Sequence, residues 1–384
     1  MIRIKLLSRT NLNDEYAHSL LISLLRGLAA LEVAAAHLRA HVYPGYSHVV
    51  QPGAAFQGLA FVTGFAHQAV VVFFILSGWL VGGSLLNKRS RDGIIKEYAI
   101  DRVTRLWIVL IPTLMLIVGF KLLTSHLSPQ AANFSANNEY SVATFFGNLI
   151  GLQKILVPTF GGNFPLWSLS NETWYYVLFP LLVVIADTKS VPSRIAAILA
   201  AGGLAWLLGG PIILYFAIWL LGAAGSRIDL QSNVGLRSIL FIAFAAVAVY
   251  FRLNGKNDDL GFDSFPQDLL FSVLFILLLT SMQVRLDLGR RAIIIVRRVA
   301  MHLANFSFTL YVIHMPLIGL SGVLIPYLAD NRFVPNSPIH LLAYFGMFGV
   351  IVILAYMFHL PFEANTHRLR TFVKSNTLPA RSSA

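Results

Sequence analysis

The sequence contains no cysteine and little charge: 12% of its 384 residues are charged and 57% are hydrophobic. Soluble domains carry about twice that charged fraction. The absence of cysteine excludes disulfides, a thiolate nucleophile and cysteine-ligated metals. The histidines and acidic residues show no metal-ligand spacing, and there is no glycine-rich phosphate loop or nucleophile elbow. We therefore predict neither a metal site nor a permanently bound cofactor.

Long apolar segments recur along the whole chain. A membrane-spanning helix needs about 20 apolar residues, and ten segments approach that length: 18–40, 67–86, 106–124, 169–186, 194–209, 211–225, 236–252, 265–281, 307–328 and 338–360. Because no repeat, low-complexity tract or soluble domain interrupts them, we expect one membrane-embedded domain over residues 1–384. The predicted fold class is all-α, a polytopic membrane protein with about ten transmembrane helices. A half-apolar piece, 145–157, is too polar to span and is predicted to lie at the interface or to re-enter.

The positive charges indicate the orientation, because lysine and arginine accumulate on the cytoplasmic side of a membrane. With ten spans and a cytoplasmic N-terminus, 22 of the 29 lysines and arginines fall in inner segments. Merging 194–209 with 211–225 would place the five arginines of 282–298 outside. We therefore predict two helices separated at Gly209-Gly210-Pro211, and both termini in the cytoplasm. The net charge of +12 then reflects membrane orientation, and no nucleic-acid partner is expected.

The first predicted span carries Arg26, Glu32 and His37 among its apolar residues. A charge at bilayer depth costs at least about 2.5–3.5 kcal/mol on insertion scales. Arg26 and His37 are three helical turns apart and so share a face, about 16 Å from each other along the axis. Arg26 then either holds a phosphate while His37 acts as a general base, or snorkels to lipid while His37 bonds a neighbouring helix. Glu32 is rotated away from both and is predicted to pair with another helix.

Other polar positions also have two interpretations. Arg102 and Arg105 are neighbours on a helix surface and suit phosphate binding, or they are ordinary positive charges on the cytoplasmic side. Glu172 lies among aromatic residues at the outer end of the fourth span. Taken singly, His314 and Glu363 favour structural roles. The two small residues Ser77 and Gly78 favour close helix packing. The alternative is that they let the backbone approach a ligand closely.

Five segments, in one order along almost the whole chain, resemble the acyltransferase-3 family of integral membrane acyltransferases. They are Arg26 with His37; Val72-Phe-Phe-Ile-Leu-Ser77-Gly78; Arg102-Val-Thr-Arg105 with a later Pro112; Trp167-Ser168-Leu169-x-x-Glu172 with Tyr176 and Pro180; and Ser307-Phe-Thr-Leu-Tyr311-x-x-His314-x-Pro316. Glu363 falls on a late glutamate of the family. Glu32 and Tyr175 depart from its pattern, and we expect no SGNH-type esterase domain.

The resemblance implies an O-acyltransferase of the bacterial inner membrane. Its expected donor substrate is cytoplasmic acyl-CoA, specifically acetyl-CoA, and its acceptor is a hydroxyl of a cell-surface or lipid-linked carbohydrate. His37 and Glu172 are the expected catalytic residues, and Arg26, Arg102 and Arg105 the expected donor-binding residues. Further candidate site residues are Ser77, Trp167, Ser168, Tyr176, Tyr311, His314 and Glu363. The lipid bilayer is an expected partner.

Two questions stay open from the sequence. Direct transfer with His37 as base and a covalent acyl-histidine intermediate fit the same residues. A secondary transporter or flippase of a lipid-linked sugar or anionic substrate also carries charged residues at bilayer depth. Transporters commonly show broken helices in both halves, whereas the glycine-proline break at 209–211 has no counterpart. A membrane-embedded sensor or assembly subunit leaves Arg26, His37 and Glu172 unexplained as a set.

Overall fold

The computed structural model describes residues 3–89, 91, 93–127, 138–257, 260–287, 289, 291–322 and 332–377. The contacts divide the chain into two compact units. Unit 1 comprises Met1–Ala29, His67–Ala99 and Asn171–Ala304, and unit 2 comprises Ala30–Ala66, Ile100–Ser170 and Asn305–Ala384. The expectation of one domain over residues 1–384 stays a prediction, and the two units are described separately below.

Helices make up most of the described structure. In chain order they are α1 (Ala17–Val42), α2 (Ala54–Val62), α3 (Ala66–Ser77), α4 (Gly83–Lys88), α5 (Ile94–Leu127), α6 (Val142–Leu149), α7 (Leu166–Asp187), α8 (Val191–Leu208), α9 (Gly210–Gly225), α10 (Val234–Asn254), α11 (Phe265–Ser281), α12 (Arg291–Ser321), α13 (Pro338–His359) and α14 (Thr366–Thr377). A π-helical turn, Gly78–Gly82, joins α3 to α4, and 3₁₀ turns lie at Tyr46–His48 and Glu363–Asn365.

The predicted fold class is confirmed. Eight helical stretches of the described residues are long and apolar enough to cross a membrane: Ala17–His48, Ala54–Lys88, Ile94–Leu123, Leu166–Asp187, Val191–Leu208, Val234–Asn254, Arg291–Ser321 and Pro338–Thr377. The shorter apolar helices Gly210–Gly225 and Phe265–Ser281 occupy the other two predicted spans. The end of the predicted segment 307–328, from residue 323 onward, lies outside the described residues. The protein is therefore an all-α, polytopic membrane protein.

Two helices extend well beyond the apolar segments that predicted them. Helix α5 begins at Ile94 rather than near 106, and α12 begins at Arg291 rather than near 307. Hydropathy marks only the length that suits lipid, whereas arginine and lysine are themselves good helix formers. The basic segments before these two spans are therefore largely helical.

The break predicted between the fifth and sixth spans is present. Helix α8 ends at Leu208 and α9 begins at Gly210, and the intervening Gly209 has φ +82°. A residue with a side chain rarely adopts that conformation, so glycine ends α8 here. Pro211, in the first turn of α9, has a fixed φ that suits a helix start. Two separate helices form where a single long one was the alternative.

A short β-ribbon in unit 1 is a feature of the fold that hydropathy does not predict. Strand β1 (Arg3–Leu6) pairs antiparallel with β2 (Ile228–Gln231), with Arg3 opposite Gln231 and Leu6 opposite Ile228. Each strand has only four residues, too few for a clear alternating pattern. Their pairing depends on a partner more than 200 positions away, which a local pattern cannot specify.

The predicted piece 145–157 forms the second half of α6 and a series of turns in unit 2. Helix α6 has eight residues, too few to cross a bilayer. Its end is tied to its surroundings, because Trp107 Nε1 donates to the Leu149 carbonyl at 3.0 Å and Gln153 Nε2 donates to the Leu166 carbonyl at 2.7 Å. The second bond positions the first residue of α7. Its depth relative to a membrane stays a prediction.

Glu32 accepts a hydrogen bond within unit 2. Its Oε1 atom receives the backbone N–H of Phe65 at 2.7 Å, immediately before α3 begins at Ala66. A helix start presents backbone donors without intrahelical partners and favours a carboxylate nearby. Glu32 therefore contacts the start of another helix, as its position on α1 predicted.

In unit 1, Gly78 allows close packing of two backbones, which is the interpretation that the sequence favoured. A Cβ atom at Gly78 would lie 1.9 Å from the Trp219 carbonyl oxygen, and one at Gly222 would lie 2.1 Å from the Ile75 carbonyl oxygen. The two backbones approach each other so closely that only glycine fits at both positions.

Replacing Gly78 or Gly222 by alanine is expected to lower the free energy of unfolding by at least about 1–3 kcal/mol, because the methyl group meets backbone atoms that must be pushed apart. Thermal unfolding of the purified protein in detergent measures the change. Gly202→Ala is the control, because a Cβ there meets nothing within 4 Å. Equal melting temperatures for all three variants would contradict the packing explanation.

Candidate functional site

Two predicted histidines form a direct hydrogen bond in unit 2. His37, on α1, lies with Nδ1 2.8 Å from Nε2 of His314, on α12. The two rings are inclined by only 12° and their centroids are 5.1 Å apart, so the bond lies close to the common ring plane. His314 is fully buried, whereas His37 is half-buried. The structure thus joins two candidates that are 277 positions apart.

The partners of His314 define which nitrogen of each neutral ring carries the proton. His314 Nδ1 lies 2.6 Å from the Tyr311 carbonyl oxygen, which only accepts, so Nδ1 is the protonated atom. Nε2 of His314 must then accept, and Nδ1 of His37 must donate. A neutral His37 consequently keeps its lone pair on Nε2. No residue in the described part of the chain hydrogen-bonds that atom.

The segment before α7 packs against this histidine pair within unit 2. Gly161 and Gly162 have φ of +59° and +74°, which turns the chain toward α7. Asn163 Nδ2 then donates to the Val312 carbonyl at 3.0 Å, and the edge of the Phe164 ring meets His37 at a centroid distance of 4.9 Å. Phe164 is a contact that the sequence analysis missed.

Two further candidates meet at the start of α7. Ser168 Oγ and the Tyr311 hydroxyl are 2.5 Å apart, and both hydroxyls lie 3.1 Å from the Pro165 carbonyl oxygen. Trp167, which precedes Ser168 in the sequence, is half-buried. Because Tyr311 also supplies the carbonyl that binds His314, this contact links the start of α7 to the histidine pair.

Arg105 and Glu363, both predicted from the sequence, form an ion pair in unit 2. Arg105 Nη2 lies 2.7 Å from Glu363 Oε1, and the guanidinium lies over the Phe308 ring at 5.3 Å. The other carboxylate oxygen accepts from the backbone N–H of Thr309 at 3.0 Å and from its hydroxyl at 2.6 Å, with His359 Nδ1 at 3.4 Å. Glu363 therefore orients Arg105 and is itself held by α12.

Beside this pair, the C-terminal helix adds two cations that the sequence analysis did not single out. Asp101 Oδ1 lies 3.2 Å from Arg370 Nε and 2.6 Å from Lys374 Nζ. Asp101 precedes Arg102 in α5, so the predicted pair Arg102 and Arg105 shares its surroundings with α14. The only available signal was the Arg-x-x-x-Lys spacing on α14, which is too common to be specific.

Unit 1 brings three other candidates together. The Tyr176 hydroxyl donates to Glu172 Oε1 one helical turn away. Ser77 Oγ lies 3.3 Å from that hydroxyl and accepts from Trp219 Nε1 at 3.1 Å. Because the tyrosine hydrogen is donated to Glu172, Ser77 is the donor to Tyr176. Tyr175, a departure from the family pattern, donates to the Ile212 carbonyl at 3.0 Å.

Arg26 lies half-buried on α1, in the part of that helix that belongs to unit 1. Gly27, next to it, packs closely against Leu303. Arg26 and His37 lie in one continuous helix, as their spacing requires. Since they belong to different units, a joint functional role of the two side chains stays a prediction.

Unit 1 also contains a buried polar network that the sequence analysis missed. His67 Nε2 lies 2.8 and 2.9 Å from the two carboxylate oxygens of Asp268, and the Tyr215 hydroxyl donates to Asp268 Oδ2 at 2.5 Å. Asp268 is 2% exposed. The available signal was a carboxylate near the start of an apolar segment. Within the described residues, no group of three or more histidine, aspartate or glutamate side chains is placed to hold a metal.

The fold and these polar groups define a multi-pass membrane protein with paired histidines and basic residues among its helices. The model of the acyltransferase-3 family, described as an acyltransferase domain, matches residues 21–359. The chain therefore belongs to this family.

A relative of known sequence adds little beyond the family. The chain is 25% identical over 122 residues to a protein of Haemophilus influenzae described as uncharacterized. The matched region covers 31% of this chain and 49% of that protein. The chain thus spans about half the length of the curated relative it matches. No solved structure matches the chain.

Glu363→Ala is expected to lower the free energy of unfolding by about 1–3 kcal/mol, because it removes a buried carboxylate that pairs with Arg105 and accepts two Thr309 bonds. Chemical unfolding in detergent micelles measures the loss. Glu15→Ala, at an exposed position, is the matched control and should change stability by less than about 0.5 kcal/mol. Similar values for the two variants would show that the pair does not stabilise the fold.

Proposed function

We propose that this protein is an O-acyltransferase of the bacterial inner membrane. It transfers an acyl group from cytoplasmic acyl-CoA to a hydroxyl of a cell-surface or lipid-linked carbohydrate. The specific acyl group that we propose is acetyl. Membership of the acyltransferase-3 family supports the reaction class. The observation that carries the proposed chemistry is the hydrogen bond between His37 and His314, because it leaves a basic nitrogen on His37.

His37 Nε2 takes the proton of the acceptor hydroxyl in the proposed reaction. The hydroxyl oxygen bonds to the thioester carbonyl carbon, the carbon–sulfur bond then breaks, and the coenzyme leaves as a thiolate that takes up a proton. The products are the ester and free coenzyme A. As His37 becomes positively charged, its Nδ1–H stays bound to His314 Nε2, which stabilises that charge in the transition state.

Basic residues near the cytoplasmic ends of the helices are proposed to bind the donor. Arg102 and Arg105 would contact its phosphates, and Arg26 is proposed for the same role. Glu363 supports this for Arg105, because it holds one side of the guanidinium at 2.7 Å and leaves 26% of the side chain exposed. A guanidinium has five N–H donors in a rigid fork, so one carboxylate does not exhaust it.

Glu172 is proposed to orient the acceptor. Tyr176 donates to its Oε1 atom, so the carboxylate has a defined position and keeps acceptor capacity for a sugar hydroxyl. Ser77 and Trp219 continue the same hydrogen-bonded chain. This role needs a half-buried carboxylate, which Glu172 is.

Acyl transfer to a defined carbohydrate hydroxyl by purified protein, with labelled acyl-CoA, tests the proposal. His37→Ala is expected to lower the rate by at least about 10²–10⁴-fold, the usual contribution of a general base. His48→Ala replaces an exposed histidine just beyond α1 and should retain full activity. No transfer by the wild type, combined with substrate flux in the absence of donor, would favour a transporter instead.

His314 acts through His37 in this mechanism, so it is a positioning residue. His314→Leu removes the acceptor for His37 Nδ1 and is expected to lower kcat by about 10²-fold, with the KM for the donor unchanged. His314→Gln, which supplies an amide oxygen as an alternative acceptor, should restore part of the rate.

The double variant distinguishes this role from a purely structural one. Once His37 is alanine, His314→Leu should lower the residual rate no further, because residues that act as a unit are not additive. Additive losses in the two single variants and their combination would contradict positioning through His37.

A further inference from the structure

Helix α14 carries two cations that reach α5 within unit 2. Arg370 Nε and Lys374 Nζ lie 3.2 and 2.6 Å from the same oxygen of Asp101. Residues four apart on a helix lie on one face, so both side chains extend from α14 toward α5. Arg370 is also within electrostatic range of Arg102 and Arg105. The first turns of α5 and the C-terminal helix therefore form one basic surface.

We call this surface the α5–α14 cluster, which consists of Arg102, Arg105, Arg370 and Lys374. Its two carboxylate partners are the more deeply placed groups, since the side chains of Glu363 and Asp101 are 1% and 16% exposed. The exposed fractions of the cationic side chains are larger, at 26% for Arg105, 29% for Arg370 and 23% for Lys374.

The side chains of Arg105, Arg370 and Lys374 reach the surface more than either carboxylate does. Glu363 holds Arg105 in place, and Asp101 holds Arg370 and Lys374. Such an arrangement attracts an anion with more than one charge. Arginine binds phosphate oxygens through paired hydrogen bonds, and lysine adds a compact point charge.

We propose that the α5–α14 cluster binds the phosphate groups of the donor's nucleotide, with Arg370 and Lys374 as binding residues in addition to Arg102 and Arg105. The inference rests on the proposed function, which makes acyl-CoA the donor. The nucleotide of coenzyme A carries a 3′-phosphate as well as a 5′-diphosphate, so it presents three phosphate groups to basic side chains. The two cations of α14 supply the additional contacts.

Anionic lipid headgroups present the same phosphate chemistry at the cytoplasmic surface. The test therefore uses the full chain in nanodiscs of phosphatidylcholine alone and of phosphatidylcholine with phosphatidylglycerol. Isothermal titration calorimetry with coenzyme A, dephospho-coenzyme A and adenosine 3′,5′-bisphosphate measures binding without any acyl transfer.

In neutral nanodiscs, Arg370→Gln and Lys374→Gln are each expected to weaken coenzyme A binding about tenfold, equivalent to about 1.4 kcal/mol. Arg368→Gln makes the same charge change on an exposed position of α14 and should stay within about twofold of the wild type. Lys374→Arg keeps the charge and should retain binding, which separates loss of a contact from loss of the helix. Raising the salt concentration should weaken wild-type binding more than that of the charge-removed variants.

Unchanged coenzyme A affinity in folded Arg370→Gln and Lys374→Gln proteins would overturn the inference. So would an effect seen only with phosphatidylglycerol, since that result assigns the cluster to lipid headgroups. Binding that depends on the cluster, without acyl transfer by the wild type, would retain the inference and refute the proposed function. Acyl transfer with an unchanged donor KM in both variants would retain the proposed function and refute the inference.

Discussion

Polar groups among apolar helices must find partners, and this requirement organises both units. An unpaired charge or donor in an apolar interior costs several kcal/mol. In unit 2 the fully buried His314 is bound by His37 and by a backbone carbonyl, and Glu363 is bound by Arg105 and Thr309. In unit 1 the same requirement joins Asp268, on α11, to His67 of α3 and Tyr215 of α9. Each such bond selects which helices meet, because apolar surfaces alone pack in many ways.

In the proposed mechanism, the same bonds also prepare the chemistry. The partners of His314 leave the basic nitrogen of His37 on the side away from the pair. The carboxylate of Glu363 holds a guanidinium that stays partly exposed. A histidine without a defined tautomer, or an arginine without a fixed direction, loses much of its value in catalysis or binding. If the proposed mechanism holds, the interactions that pair these side chains in unit 2 are also the ones that prepare them for catalysis and binding.

Much of the candidate site could be predicted as single residues, but not as pairs. His37, Arg105, Ser168, Tyr311, His314 and Glu363 were each recognised from a local motif or from a charge beside an apolar segment. Their partners were not, since His37 contacts a residue 277 positions away. Asp268 was missed for the opposite reason, because one carboxylate at the end of an apolar segment resembles ordinary helix-end chemistry. Arg370 and Lys374 could not be distinguished from ordinary surface charges by sequence, because their contact with Asp101 is visible only in the structure.

The sequence by itself determined the fold class and the positions of the main apolar helices. A helix pairs all of its backbone groups within one segment, so the long apolar segments had to become helices in lipid, and a glycine beside a proline separated two of them. The tertiary structure alone decided which polar groups bond, how far α5 and α12 continue past their apolar parts, and that α14 returns to α5. Local composition controls backbone pairing within a helix, whereas side-chain pairing depends on contacts between residues hundreds of positions apart.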